Sequence, residues 1–322
     1  MEQRTLGRSE LSTGRVVFGT MTFGSQVDLA EASRVVDACR EAGVTMFDTA
    51  NSYNDGESER MLGRVLAPMR DEVLVATKVG NRTGPGPDDA GLSKAAITKA
   101  IDASLRRLGT DHVDLYYLHL PDWGTPIEQT LEALDDLVQT GKVRYGASSN
   151  YAAWEMAEMH GLARRHGWQA LHVSQPLYNL LARRLEDEYA AFSQRFTLSN
   201  IVYNPLAGGL LSGKHRPGTA PGAGTRFTLE HYRRRYWNDA QFAAVASLRE
   251  AAAGAGLSLI ELAFRWLLSR PLVDAVLVGA SNLDQLAANL AACQTPTLDQ
   301  PVADRCDEVW ATLRGAAPRY NR

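Results

Sequence analysis

A chain of 322 residues with a formal net charge of −3 is long enough to bury a large core, and its interspersed charges leave no basic face for nucleic acid or anionic lipid. Cys39, Cys293 and Cys306 are odd in number and far apart, with no CxxC or Cys/His ligand spacing, which supports neither a disulfide framework nor a zinc site and fits free thiols in a reducing compartment. The polar opening from Met1 to Glu10 lacks the apolar stretch of a signal peptide, and no uncharged apolar window reaches membrane-spanning length, so a cytoplasmic location is expected, with no membrane partner.

Short β-rich runs alternate with helical patterns along nearly the whole chain. After a turn-rich opening around Gly7 and Ser12 to Gly14, strands are predicted at Arg15 to Gly19, Thr45 to Ala50, Val73 to Val79 and Val113 to Leu120. Four more follow at Val143 to Ser148, Leu171 to Gln175, Ser199 to Pro205 and Ala275 to Gly279. The intervening segments carry helical periodicity: Leu29 to Ala42, Ser58 to Leu66, Ser93 to Leu108, Ile127 to Thr140, Ala152 to His166 and Arg184 to Arg195. Asp239 to Arg270 continues the pattern with a break near Gly254 and Gly256, and Leu283 to Ala292 follows the last strand. Ser93 is a plausible N-cap, while Gly109 and Gly141 sit where helix-ending glycines belong. The strands VLVATKV and VDLYYLHL are apolar nearly throughout, as expected when both faces of a parallel sheet are covered. Eight strands alternating with helices predict an α/β fold, the (β/α)8 TIM barrel, as a single domain over residues 1–322. Gly80 to Gly91 and Ala207 to Asn238 are the long connections, where function is expected. Arg233, Arg234 and Arg235, the densest positive run, read as a solvated or helix-end patch.

In such a barrel the chemistry gathers where strands stop. The second predicted strand carries Asp48, with Tyr53 in the loop beyond it. The third ends in Thr77 and Lys78, the fourth in His119, the fifth in Ser148, Ser149 and Asn150, and the sixth in Gln175. Each alone is more often a loop cap or a satisfied polar group; together they suit a proton relay beside a carbonyl. Tyrosine titrates near 10, and a neighbouring ammonium lowers that value, a part Lys78 can take with Asp48 holding it. His119 can donate a hydrogen bond to a substrate oxygen as negative charge develops there, and no metal is required.

Across nearly the whole chain, FDTANSY, LVATKV, VDLYYLHLPD, GKVRYGASSN, YNPLAGGLLSGK and VLVGASNLDQL resemble segments of the aldo-keto reductase superfamily, in that family's order. The texture is most similar to the branch with potassium-channel β subunits and bacterial aryl-alcohol or sugar-type reductases. The resemblance implies a catalytic tetrad of Asp48, Tyr53, Lys78 and His119, with NADPH across the barrel mouth and NADH as the alternative. Ser149, Asn150 and Gln175 would hold the carboxamide, or Ser148 and Ser149 if the alignment shifts by one. Tyr203 would stack on the nicotinamide; Gly19, Thr20 and Met21 would line it; Leu206, Gly208, Leu210 and Lys214 would follow the pyrophosphate. Arg226 would meet the 2′-phosphate, with Gly279, Ser281, Gln285 and Asn289 around the adenosine. Ala288 stands where this branch commonly has a Glu. The implied substrate is a small carbonyl or alcohol, and a homo-oligomer is compatible.

No G-x-G-x-x-G opens a helix after a strand, which argues against a Rossmann site, and G-x-x-x-x-G-K at Gly208 to Lys214 is followed by His215 rather than the Ser or Thr of a P-loop. Trp123, four residues after His119, is expected in the substrate pocket with Tyr53 and His119; Tyr236 and Trp237 are similar candidates, whereas Trp266 and Trp310 read as packing, and His160, His166 and His172 as surface or structural. Two other functions compete: a redox-sensing cofactor-binding module like a channel β subunit, and an enzyme using NAD(P) transiently on a sugar. Because the first strands start within the first few residues, no channel-docking tail is expected, which favours the enzyme.

Overall fold

The computed structural model describes residues 2–317 apart from Ala223 and Pro296. An antiparallel hairpin opens it, β1 (Gln3–Thr5) and β2 (Ser12–Gly14), with Gln3 opposite Gly14. Strands and helices then alternate: β3 (Val16–Gly19), α1 (Leu29–Glu41), β4 (Met46–Asp48), α2 (Glu57–Leu66), β5 (Leu74–Val79) and α3 (Lys94–Leu108). Next come β6 (Val113–Leu118), α4 (Ile127–Gln139), β7 (Val143–Ser149), α5 (Ala153–His166), β8 (Val173–Gln175), α6 (Tyr189–Arg195) and β9 (Ser199–Val202). The remainder is α7 (Glu230–Tyr236), α8 (Asp239–Gly254), α9 (Leu259–Leu268), β10 (Ala275–Val278), α10 (Leu283–Cys293) and α11 (Gln300–Arg314). Strands β3 to β10 pair in parallel in chain order and close where β10 meets β3, Val276 beside Val16. This is the (β/α)8 TIM barrel. Among the described residues, no single helix is long and apolar enough to cross a membrane.

The helix signals act as local chemistry requires. Ser93 Oγ accepts from the Ala96 amide at 3.1 Å, and Gly109 ends α3 in the left-handed region at φ +67°. Ser258 and Glu261 exchange hydrogen bonds that restart the chain as α9 after the expected glycine break. Three differences from the sequence reading have physical causes. The Arg184 to Arg195 segment divides into a 3₁₀ turn, Arg184–Asp187, and α6, because Arg183 is fastened to Glu186 and Asp307 and lies against the Trp266 ring at 4.7 Å. The long connection after β9 is not structureless, since it contains α7 with Tyr232 and Tyr236 buried. Beyond the last predicted element, α11 buries Cys306 and Val309 against the barrel's helical coat.

Two cores result. One lies between strands and helices; the other fills the barrel with Val17, Met46, Ala76, Leu115, Tyr117, Ala147, Val173, Ile201 and Ala275. Leu6 and Leu11 of the hairpin belong to that inner core, so the hairpin stoppers the barrel beneath its strands. The α2–α3 contact is equally tight. A Cβ on Gly63 would collide with the Leu108 carbonyl oxygen and stand 2.7 Å from its Cα. Gly63→Ala should therefore lower the urea midpoint, although alanine gains about 1 kcal/mol of helix propensity. An unchanged or higher midpoint would show that the two helices can separate freely.

Candidate active site

Side chains two residues apart on a strand share a face. Val17, Met46, Ala76, Tyr117, Ala147, Val173 and Ile201 fill the barrel, with Leu277 packed against them. One step further along the same face stand Gly19, Asp48, Lys78, His119, Ser149, Gln175, Tyr203 and Gly279. The inner core thus continues upward into a largely polar ring at the carboxyl ends of the strands.

Lys78 and Asp48 are fully buried in that ring and form an ion pair. Lys78 Nζ also donates to the Thr49 carbonyl at 2.7 Å, and Gln175 Nε2 donates to Asp48 Oδ2 at 2.9 Å. Burial works against the Lys78 charge, but Asp48 beside it holds the ammonium above its ordinary value. Burial likewise pushes the Asp48 carboxyl up, with Lys78 and Gln175 pulling it back. Tyr53 follows β4 in a 3₁₀ turn, Tyr53–Gly56, and its ring centroid lies 5.2 Å from Lys78 Nζ. Asn54, in the left-handed region at φ 49°, pins that turn to the first loop by donating to the Met21 and Phe23 carbonyls at 3.0 and 2.7 Å. The Tyr53 phenol is raised from its ordinary value, opposite to the lowering expected from Lys78, because burial outweighs the ammonium. His119 stands edge-on to Tyr53 with ring centroids 6.1 Å apart. Burial, aided by Lys78, lowers its imidazole to about 3, so it is neutral near pH 7. Asn81 Nδ2 lies 2.9 Å from His119 Nδ1.

The remaining candidates surround this group. Ser149 is on the inward face and donates to the Gln175 carbonyl at 2.8 Å; Ser148 faces the other way, its buried hydroxyl without a partner. Asn150 donates to the His119 carbonyl and Ser149 Oγ at 2.9 and 3.0 Å, and accepts from the Tyr203 hydroxyl at 2.7 Å. Thr20 is buried and donates to the Asp48 carbonyl at 3.1 Å. Across the mouth, a Cβ on Gly279 would meet Arg226 Nη2 at 3.6 Å and the Gly19 carbonyl at 3.7 Å. Arg226 Nη1 donates to the Tyr232 hydroxyl at 3.3 Å, and the Tyr232 ring covers Gly208, whose φ of +70° suits glycine. Thr22 Oγ1 reaches the Ala280 carbonyl at 2.7 Å. The first loop, the long connection and the β10–α10 turn therefore converge.

At that turn Asn282 caps α10, Gln285 Oε1 accepts from the Ser281 amide and hydroxyl, and Asn289 donates to the Gly279 carbonyl. Leu206 is half-buried, Lys214 is exposed, and Leu210 is buried in the outer core, so Leu210 can offer only backbone. Trp123 is 78% exposed and stacks on Trp154 at 6.1 Å, on the rim rather than in a pocket wall. Trp237 packs against His215, Phe227 and Phe242, while Tyr236 is buried and accepts from Asn179 and Asn204, so both anchor the long connection. Asn54, Asn81 and Tyr232 escaped sequence reasoning. The left-handed preference of Asn beside Tyr53 was the one signal that could have found the first.

The profile of the Aldo/keto reductase family matches residues 15–311. The chain is 36% identical over 318 residues to a probable voltage-gated potassium channel subunit beta of Oryza sativa subsp. japonica, covering 96% of each. It is 37% identical over 342 residues to human aflatoxin B1 aldehyde reductase member 2, covering 100% of this chain and 94% of the relative. An uncharacterized oxidoreductase, YrpG, of Bacillus subtilis (strain 168) is 32% identical over 334 residues, covering 99% and 98%. Members of this family generally use NAD(P)H. A match of such extent, on a closed eight-stranded parallel barrel, makes the chain a member of the aldo/keto reductase family and an oxidoreductase.

Proposed function

We propose that the chain is an NADPH-dependent oxidoreductase that transfers a hydride between the nicotinamide and an aldehyde or ketone, or the corresponding alcohol, with Tyr53 as proton donor. The observation that carries this reading is one cluster: Lys78, paired to buried Asp48, 5.2 Å from the Tyr53 ring centre, with neutral His119 edge-on to the same ring. The mouth fits the cofactor chemically. Glycine at 279 leaves open the space that a Cβ would take beside the Arg226 guanidinium, and the Asn150 side-chain carbonyl has a second lone pair for an incoming amide. Ser149, Asn150, Gln175 and Tyr203 would hold the nicotinamide end, with Gly19, Thr20 and Met21 beside it. Leu206, Gly208, Leu210 and Lys214 would follow the pyrophosphate, and Arg226, Gly279, Ser281, Gln285 and Asn289 the adenosine end. When bound, the cofactor supplies the hydride that reduces a carbonyl carbon. Tyr53 delivers its phenolic proton to the carbonyl oxygen while His119 orients that oxygen by a hydrogen bond. Lys78 stabilises the phenolate left behind, and Asp48 keeps Lys78 charged and in place.

Tyr53→Phe keeps the ring and removes the proton. It should lower kcat/KM for an aromatic aldehyde by about 10²–10⁴-fold while NADPH affinity, read by fluorescence titration, changes little. Parallel loss of cofactor binding would remove Tyr53 from the role of acid. The pH profile has a definite sign. Reduction needs the protonated phenol, which is present below its raised pKa and lost only as pH rises through it. His119, at about 3, stays neutral above that value. The kcat/KM for reduction should therefore be level between about pH 5 and pH 9, and an inflection of either sign near the ordinary histidine value would contradict a neutral His119. Arg226→Ala should weaken NADPH binding by about 10–100-fold, the loss of a charge-assisted contact of about 1.5–3 kcal/mol, and leave NADH nearly unaffected. Equal weakening of both would assign Arg226 to the shape of the loop instead.

A further inference from the structure

Two amides fix His119. Asn150 holds its backbone carbonyl, and Asn81, two residues beyond β5, faces its ring with Nδ2 2.9 Å from Nδ1. An amide nitrogen has hydrogens to give and no acceptor lone pair. With the amide nitrogen turned to the ring, as the structure has it, the ring nitrogen opposite accepts. A neutral imidazole carries one N–H, and with Nδ1 accepting, that hydrogen resides on Nε2. The titratable groups facing the ring are Tyr53, edge-on from the turn after β4, and Lys78 from β5, with the Asp48 carboxylate on the ammonium. The Lys78 charge opposes a second proton on the ring, and so does Asn81, since two donors would then meet at Nδ1.

We propose that Asn81 is a positioning residue that selects the Nε2–H tautomer of His119 and so makes the ring's free nitrogen a hydrogen-bond donor. The catalytic consequence rests on the reading of His119 as the group that orients the substrate oxygen. A ring with hydrogen on Nδ1 would present a lone pair to that oxygen and repel it as charge develops. Asn81 acts on the reaction only through this choice.

Asn81→Asp should reverse it. A carboxylate accepts the Nδ1 hydrogen and raises the imidazole pKa. Below that raised pKa both nitrogens carry hydrogen and reduction continues. As pH rises through it, the remaining hydrogen stays on Nδ1, and kcat/KM falls.

The test has two arms. Long-range ¹H–¹⁵N spectra of ¹⁵N-histidine-labelled protein, with the His119 signals identified by their loss in His119→Asn, show which ring nitrogen carries hydrogen without any substrate. Hydrogen on Nε2 in the unaltered chain, moved to Nδ1 at high pH in Asn81→Asp, is the expected result; hydrogen on Nδ1 in the unaltered chain overturns the proposal. In the second arm, NADPH-dependent reduction of 4-nitrobenzaldehyde by Asn81→Asp should show, below about pH 9, a descending alkaline limb of about 100-fold that the unaltered chain lacks over that range, with NADPH affinity unchanged. Matching profiles would reduce Asn81 to a packing residue. Should the unaltered chain fail to turn over carbonyls, the reductase reading falls, while the spectra still decide which tautomer Asn81 selects. If Asn81→Asp does not fold, Asn81→Ser replaces it in the spectra, where a ring still held wholly as Nε2–H would overturn the proposal.

Discussion

A cation with no exposed surface must be paired, and the upper end of this barrel is arranged around that requirement. Lys78 reaches inward from β5 to Asp48 of the neighbouring strand, with the Thr49 carbonyl taking another of its hydrogens. Removing either charge alone would strand the other, at a cost of about 3–5 kcal/mol. The pair is thus fixed by the fold that buries it, and everything nearby takes its geometry from it. Gln175 is oriented by Asp48, the Tyr53 ring lies against the ammonium, and Ser149 is tied to the Gln175 backbone. Stability and chemistry draw on the same interaction.

The polar ring is not an insertion into the barrel but the continuation of its core. Residues that fill the barrel and residues that line its mouth occupy successive positions of one alternation, so the tight fit of Tyr117 or Ile201 beneath sets where His119 or Tyr203 stands above. Loops finish what strands begin. The Asn54 clamp delivers Tyr53 to the ring from outside the sheet, and the connection after β9 brings Arg226 and Tyr232 over two glycines from the far side. Parts contributed by rigid strands are therefore completed by parts whose position depends on loop-to-loop hydrogen bonds.

That division explains what could be read from the chain alone. Barrel strands are apolar on both faces and announce themselves, and polar residues interrupting their ends are equally visible; Asp48, Lys78, His119 and Gln175 were legible for this reason. Short elements held by tertiary contacts were not. Helix α7 carries Arg233, Arg234 and Arg235 in its last turn, a composition without apolar period, and forms because Tyr232 and Tyr236 are drawn inward. Asn81 is one polar residue in a glycine-bearing loop, and only coordinates reveal that its amide meets a ring 38 positions away. The sign of the Tyr53 shift was also beyond sequence: the ammonium could be named, but the depth of burial that outweighs it could not. Which of Ser148 and Ser149 faces the barrel interior is a matter of strand parity that a register makes plain.

The hairpin of β1 and β2 sets its Leu6 and Leu11 into the foot of the barrel. With side chains filling the barrel above it, that plug screens Lys78 and Asp48 from solvent on the underside, so an ion pair at one end of the fold owes its dryness in part to a turn at the other.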